Sequence, residues 1–115
     1  KSKNLKVLIL GVSYKKNVED DRESPSFNIM KILNSKNIKF EYNDPFFLKL
    51  RKSREFNFKK KSIELNKKNL KKFDAVLLVT DHDIYNYKFI AENSKVIFDT
   101  RGVYKKYSFK NIIYC

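Results

Sequence analysis

Short apolar runs along the chain end abruptly, and polar stretches separate them. Leu5 to Leu10 (LKVLIL) is nearly continuous and stops at Gly11, which predicts a buried strand of a parallel sheet. At Ser24-Pro25 a hydroxyl able to cap free amides precedes a proline suited to the first helical position. Phe27, Ile29, Met30 and Leu33 then follow at helical spacing, predicting a helix that runs to about Ser35. Ile38, Phe40 and Tyr42 alternate with polar residues as a second strand that closes at Asn43-Asp44-Pro45. Strand, loop, helix and strand in this order make a unit whose crossover is right-handed.

From Phe46 to Lys72 the pattern is weak, with a short strand near Ser62 to Leu65 and a charged helix at Asn66 to Phe73. Asp74 to Thr80 (DAVLLVT) holds five consecutive apolar residues and predicts a core strand. Ile84 to Glu92 supplies a helix, Val96 to Phe98 a strand running into Asp99-Thr100-Arg101-Gly102, and Asn111 to Tyr114 a last short strand. Strands alternating with helices predict a Rossmann-like three-layer α/β sandwich, a mostly parallel sheet with helices on both faces.

The 115 residues are enough for one domain, and 42% hydrophobic residues with 15% aromatic supply a packed core and exclude a disordered tail. No apolar run approaches the roughly 20 residues of a membrane span. A lone cysteine, Cys115, excludes an internal disulfide and a cysteine zinc cluster and fits a reducing, cytoplasmic setting. The chain starts at Lys1 with no signal-peptide layout, which suggests a piece of something longer. Its formal charge of +13 is uneven: Lys49 to Lys72 carries eleven Lys/Arg against Glu55 and Glu64. Nucleic-acid binders interleave such charge with stacking aromatics or present it on a recognition helix. Here it clusters in a connecting segment, and with 22 lysines against four arginines it reads as solvated surface.

In a sheet of this kind ligands bind beyond the carboxyl ends of the strands, where strand order reverses. Three loops qualify: Gly11 to Arg22, Thr80 to Asp83, and Asp99 to Gly102. The first opens a helix but lacks the second and third glycines of G-x-G-x-x-G, so it is no standard dinucleotide cradle. It offers Lys15, Lys16 and Arg22 beside Glu19, Asp20, Asp21 and Glu23. The cations can pair with phosphate or with these carboxylates. Arg101, at another strand end, can grip a phosphate from the opposite side with its planar fork. Glu19, Asp20 and Asp21 fit a loop salt-bridge network better than a metal site, which needs further spaced oxygens. His82 is either a general base or metal ligand, or a loop imidazole bonded to Asp81 and Asp83. Tyr14 is either half-buried packing or an apolar wall for a ligand. Nothing in the sequence around Cys115 activates it as a nucleophile.

These loops carry a resemblance. KVLILGVSYKKNVEDDRESPS resembles the start of the C-terminal domain of the UDP-glucose/GDP-mannose dehydrogenase family, whose pattern is roughly G-x-[AS]-[FY]-K-x-[ND]-x-x-D-x-R-[ED]-S-P. Every specified position is present. The resemblance resumes in YNDPF (Tyr42 to Phe46), DAVLLVTDHDIYNY (Asp74 to Tyr87) and VIFDTRGVY (Val96 to Tyr104), and so spans nearly the whole chain. The wording is most similar to the branch acting on UDP-N-acetylglucosamine or its epimers. Gly102 departs from the Asn of many relatives in that branch, and Leu48 to Lys72 matches no part of the pattern.

The resemblance implies an NAD-dependent enzyme that oxidises the carbon-six alcohol of a nucleotide sugar to a carboxylate, through two hydride transfers and a cysteine-bound intermediate. It implies that residues 1–115 are the C-terminal UDP-sugar-binding domain. The NAD-binding domain and the central helical domain, with the nucleophilic Cys, are expected outside the chain, which alone is then inactive. Lys15 matches the lysine contacting the nucleotide sugar, Tyr14 the aromatic lining that pocket, and Arg101 the arginine reaching the UDP phosphates. Arg22 matches the arginine extending to NAD across the domain cleft. No metal and no membrane partner is implied, the parent enzyme is a homo-oligomer, and His82 receives no role. Two other readings compete: a nucleic-acid-binding domain using Lys49 to Lys72, and an interaction module that has lost ligand binding.

Overall fold

The computed structural model describes residues 5–13, 25–48 and 60–115. Within them five strands form one parallel sheet: β1 (Lys6–Leu10), β2 (Lys39–Asn43), β3 (Ala75–Leu78), β4 (Ile97–Asp99) and β5 (Ile112–Tyr114). Their order is β2-β1-β3-β4-β5. The chain steps outward from β1 to β2, then returns past β1 to β3, so strand order reverses between β1 and β3. The Rossmann-like α/β expectation holds, and every described pairing is parallel.

Reversal with right-handed crossovers sends the helices to opposite faces. Helix α1 (Pro25–Ser35) joins β1 to β2 and buries Phe27 and Met30 against Val7, Ile9, Phe40 and Tyr42. On the other face α2 (Lys67–Leu70) and α3 (Tyr87–Asn93) bring Leu70, Ile90 and Ala91 onto Leu8, Leu10, Val76, Leu78 and Ile97. Odd and even positions of β1 thus feed different cores, as the two-residue strand period requires. Each fully buried Leu or Ile contributes about 1.5–3 kcal/mol.

Local chemistry explains the element ends. Helix α1 begins at Pro25, as predicted; the capping role read for Ser24 lies outside the described residues. It ends with Asn37 at φ +58°, while the Ile38 amide donates back to the Leu33 carbonyl at 2.9 Å, a Schellman-type stop with Asn in the left-handed position. The charged helix expected over Asn66 to Phe73 shortens to α2, capped by the Asn66 side chain, which accepts from the Asn69 amide at 2.8 Å. The helix expected from Ile84 starts three residues later, because the Asn86 side chain accepts from the Phe89 amide and so acts as its N-cap. The strand expected near Ser62 reduces to one parallel bridge between Ser62 and Tyr42. A 3₁₀ turn over Val103–Lys106, which the hydrophobic pattern did not predict, covers the end of β4 with Tyr104.

Candidate functional site

Residues 11–13 after β1 meet the turns after β2 and β3 at the carboxyl end of the sheet, and the turn after β4 joins them through Arg101. Gly11 leaves β1 at φ +92°, where a Cβ atom would lie 2.4 Å from the Thr80 Cβ and 2.8 Å from the Thr80 amide nitrogen. Only glycine lets the β1 and β3 ends approach this closely. Around that contact the Thr80 hydroxyl donates to the Ser13 carbonyl at 2.8 Å, and the Ser26 hydroxyl of α1 donates to the Gly11 carbonyl.

Asp44, directly after β2, organises this end. Its Oδ2 accepts from the Val12 amide at 2.7 Å, the Ser13 amide at 3.1 Å and the Ser13 hydroxyl at 3.1 Å. The same oxygen lies 3.0 Å from His82 Nε2, while Oδ1 accepts from the Phe46 amide at 2.8 Å. Burial pushes the Asp44 carboxyl upward, but the hydrogen bonds from His82, Val12 and Phe46 outweigh it and hold the group below the usual carboxylate range. His82 is no loop imidazole turned toward Asp81 and Asp83. It is fully buried, flanked by the Phe46 and Tyr85 rings, and its partner comes from a different strand end. Alternation along the chain missed this pair because both residues sit in polar turns; Asp44 read only as a turn residue before Pro45.

The buried Tyr85 and Tyr104 and the half-buried Tyr87 brace the same region. Tyr85 donates to the Asn43 carbonyl, Tyr87 to the His82 carbonyl and Tyr104 to the Tyr87 carbonyl. Burial first, and then neighbouring carboxylates and tyrosines, hold all three hydroxyls well above the ordinary tyrosine value, so they remain protonated donors.

Arg101 stands where the sequence placed it, beyond β4. The Asp99 carboxylate, itself buried, accepts from the Arg101 and Gly102 amides at 2.8 Å and from the Tyr104 amide at 2.9 Å, which shapes the turn. The guanidinium Nε donates to the Val79 carbonyl at 2.9 Å, and Asp81 Oδ1 is 4.0 Å away. The side chain stays 42% exposed, enough to meet a ligand. Anchored through Nε, it keeps its Nη groups available; among the described residues they have no hydrogen-bond partner.

Tyr14, Lys15 and Arg22 lie outside the described residues, as do Lys16, Glu19, Asp20, Asp21 and Glu23. Chain connection alone places Tyr14 directly after Ser13. Among the described residues no group of three or more His, Cys, Asp or Glu could hold a metal ion, Cys115 is free and exposed, and no helix is long and apolar enough to cross a membrane. Of the basic segment, Lys60 is described beside Glu41 at 3.7 Å and over the Phe40 ring, a surface pairing.

Residues 8–106 match the UDP-glucose/GDP-mannose dehydrogenase family, UDP binding domain. The UDP-N-acetyl-D-mannosamine dehydrogenase of Methanococcus vannielii is 31% identical over 91% of this chain and 26% of its own length. The native structure of the UDP-N-acetyl-mannosamine dehydrogenase of Staphylococcus aureus is 29% identical, with a TM-score of 0.63 over 96% of this chain and 26% of that one. A UDP-D-ManNAc dehydrogenase structure from Pyrococcus horikoshii shares the fold, with a TM-score of 0.71 at 23% identity over 99% of this chain and 25% of that one. The chain therefore spans about a quarter of the length of these relatives. Because that family match covers most of the chain, the chain belongs to the UDP-glucose/GDP-mannose dehydrogenase family through its UDP binding domain.

Proposed function

We propose that residues 1–115 form the UDP-sugar-binding, C-terminal domain of a longer NAD-dependent nucleotide-sugar 6-dehydrogenase. Its substrate is a UDP-N-acetyl-hexosamine whose carbon-six alcohol is oxidised to the uronic acid. The sequence pattern leans to UDP-N-acetylglucosamine or an epimer, and the names of the relatives favour the mannosamine epimer. The observation that carries the reading is Arg101, anchored through Nε to the Val79 carbonyl just beyond β4 while its side chain stays 42% exposed. A planar, permanently charged fork there suits a diphosphate. Lys15 is the second arm of the clamp, with Tyr14 lining the same pocket.

The described turn does not suit NAD itself. After β1 the sequence lacks the further glycines of a pyrophosphate cradle, and the close approach that Gly11 permits is already taken by Thr80. NAD is therefore assigned mainly to a domain outside this chain, with Arg22 reaching toward it. The nucleophilic cysteine is assigned there too, and the 115 residues alone have no turnover. A homo-oligomeric parent in a reducing, cytoplasmic setting completes the proposal.

UDP titrated into the full-length protein tests it. Binding that weakens by more than about tenfold in Arg101→Ala is expected, since a charged hydrogen bond contributes about 1.5–3 kcal/mol. Retention on DNA that salt abolishes, with no response to UDP, would replace it by the nucleic-acid reading.

A further inference from the structure

Asp44 and His82 lie 3.0 Å apart with neither side chain exposed to solvent. We propose that they are a positioning pair. His82 holds the Asp44 carboxylate in place, and the carboxylate fixes Val12 and Ser13, the buried turn that leaves β1, which Thr80 and Val79 link to Arg101. The proposal deepens the UDP-binding function above and rests on it.

The contacts form a continuous path. Asp44 leaves β2 and reaches across the end of β1, taking the two successive amides of Val12 and Ser13 together with the Ser13 hydroxyl. The Ser13 carbonyl receives the Thr80 hydroxyl. Thr80 follows Val79, whose carbonyl receives Arg101 Nε. His82, two residues beyond Thr80, closes the circuit onto Asp44. One carboxylate thus ties the ends of β1, β2 and β3, and the Arg101–Val79 bond adds the end of β4.

A role for His82 as substrate base or metal ligand does not fit this environment. The ring has no solvent exposure, Nε2 faces Asp44, and the Phe46 and Tyr85 rings pack against it. A buried ionisable pair is a weak source of stability compared with apolar packing. What it supplies is one orientation of the groups it touches, which a binding site needs to within a fraction of an ångström.

The test uses the full-length protein with UDP as the probe, in wild type, His82→Leu and His82→Gln, alongside hydrogen exchange at the Val12 and Ser13 amides. A Gln side-chain amide can stand in for the ring Nε2. We expect His82→Leu to weaken UDP binding by about tenfold or more and to speed exchange at both amides, and His82→Gln to restore most of both. Undiminished UDP affinity in a folded His82→Leu overturns the proposal, as does an equal loss in His82→Gln, which would assign the effect to ring packing. Should His82→Leu fail to fold, Ser13→Ala decides: severalfold weaker UDP binding supports the proposal and unchanged binding overturns it. A wild-type protein indifferent to UDP removes the functional reading, and the positioning role with it. Binding by wild type that His82→Leu leaves intact removes the positioning role alone.

Discussion

His82 Nε2 and Asp44 Oδ2 lie 3.0 Å apart with neither side chain exposed to solvent, and the Val12 and Ser13 amides share the same oxygen. Removing the carboxylate leaves these donors, and the Phe46 amide on the other oxygen, in a space closed to water. Asp44→Ala should therefore cost at least about 2 kcal/mol, since each buried donor left unpaired costs about 1–3 kcal/mol. Asp44→Asn keeps one carbonyl oxygen and should cost less. Urea midpoints at fixed slope measure both. In a double-mutant cycle with His82→Leu the losses should fall short of their sum, because the two residues share one interaction.

Asp44 also predicts an acid limb of stability. Its carboxyl is held below its unfolded value, which is near 3.9, because hydrogen bonding outweighs burial. In that window the unfolded chain binds more protons, so stability rises with pH. The contribution is complete above the unfolded value and disappears as pH falls through the lower folded one. Melting temperatures followed from about pH 5 downward should drop steeply in wild type and more gently in Asp44→Asn. Parallel slopes would remove Asp44 from this role.

Much of the fold was legible because its signals are local. β1 and β3 are continuous apolar runs with a polar stop, and α1 starts at a proline and keeps helical spacing to its end. The 3₁₀ turn at Val103–Lys106 was not legible, since the Asp99 carboxylate that organises it acts through backbone amides and leaves no periodicity. The candidate site was legible at Arg101, where strand end and residue type coincide. The Asp44–His82 contact joins residues 38 positions apart, and neither neighbourhood hints at the other. Lys15, Tyr14 and Arg22 remain sequence assignments, resting on the motif that follows β1.

Gly11 and Gly102 both have positive φ, but they should respond differently to substitution. At Gly11 an alanine Cβ would collide with Thr80 side chain and backbone, and neither β1 nor β3 can withdraw without breaking the sheet. Gly11→Ala should cost more than about 2 kcal/mol, combining backbone strain with overpacking, and should lower soluble yield. At Gly102 the nearest atoms are the flexible end of Lys105, at 3.5 Å or more. There Gly102→Asn should be close to neutral, since Asn accepts the left-handed region, while Gly102→Val should cost about 1–2 kcal/mol. Thermal melts of the three variants give the comparison directly.

Arg101→Lys separates charge from geometry at the proposed phosphate clamp. Arginine here spends Nε on the Val79 carbonyl, which fixes the plane of the guanidinium and leaves a two-nitrogen edge for paired phosphate oxygens. Lysine retains the charge but has neither the anchor nor the fork, so it can offer attraction without alignment. Loss of one charge-assisted bond at about 1.5–3 kcal/mol predicts UDP binding weakened by about 10- to 150-fold in Arg101→Ala. Arg101→Lys should fall between that variant and wild type. Added salt should weaken the lysine variant more than wild type, because a mobile ammonium is screened as an exposed charge whereas the anchored fork also bonds directionally. Titrations at two ionic strengths resolve the two contributions. Equal affinity for Arg101→Lys and wild type at both would show that charge alone suffices and that the Val79 anchor has no part in binding.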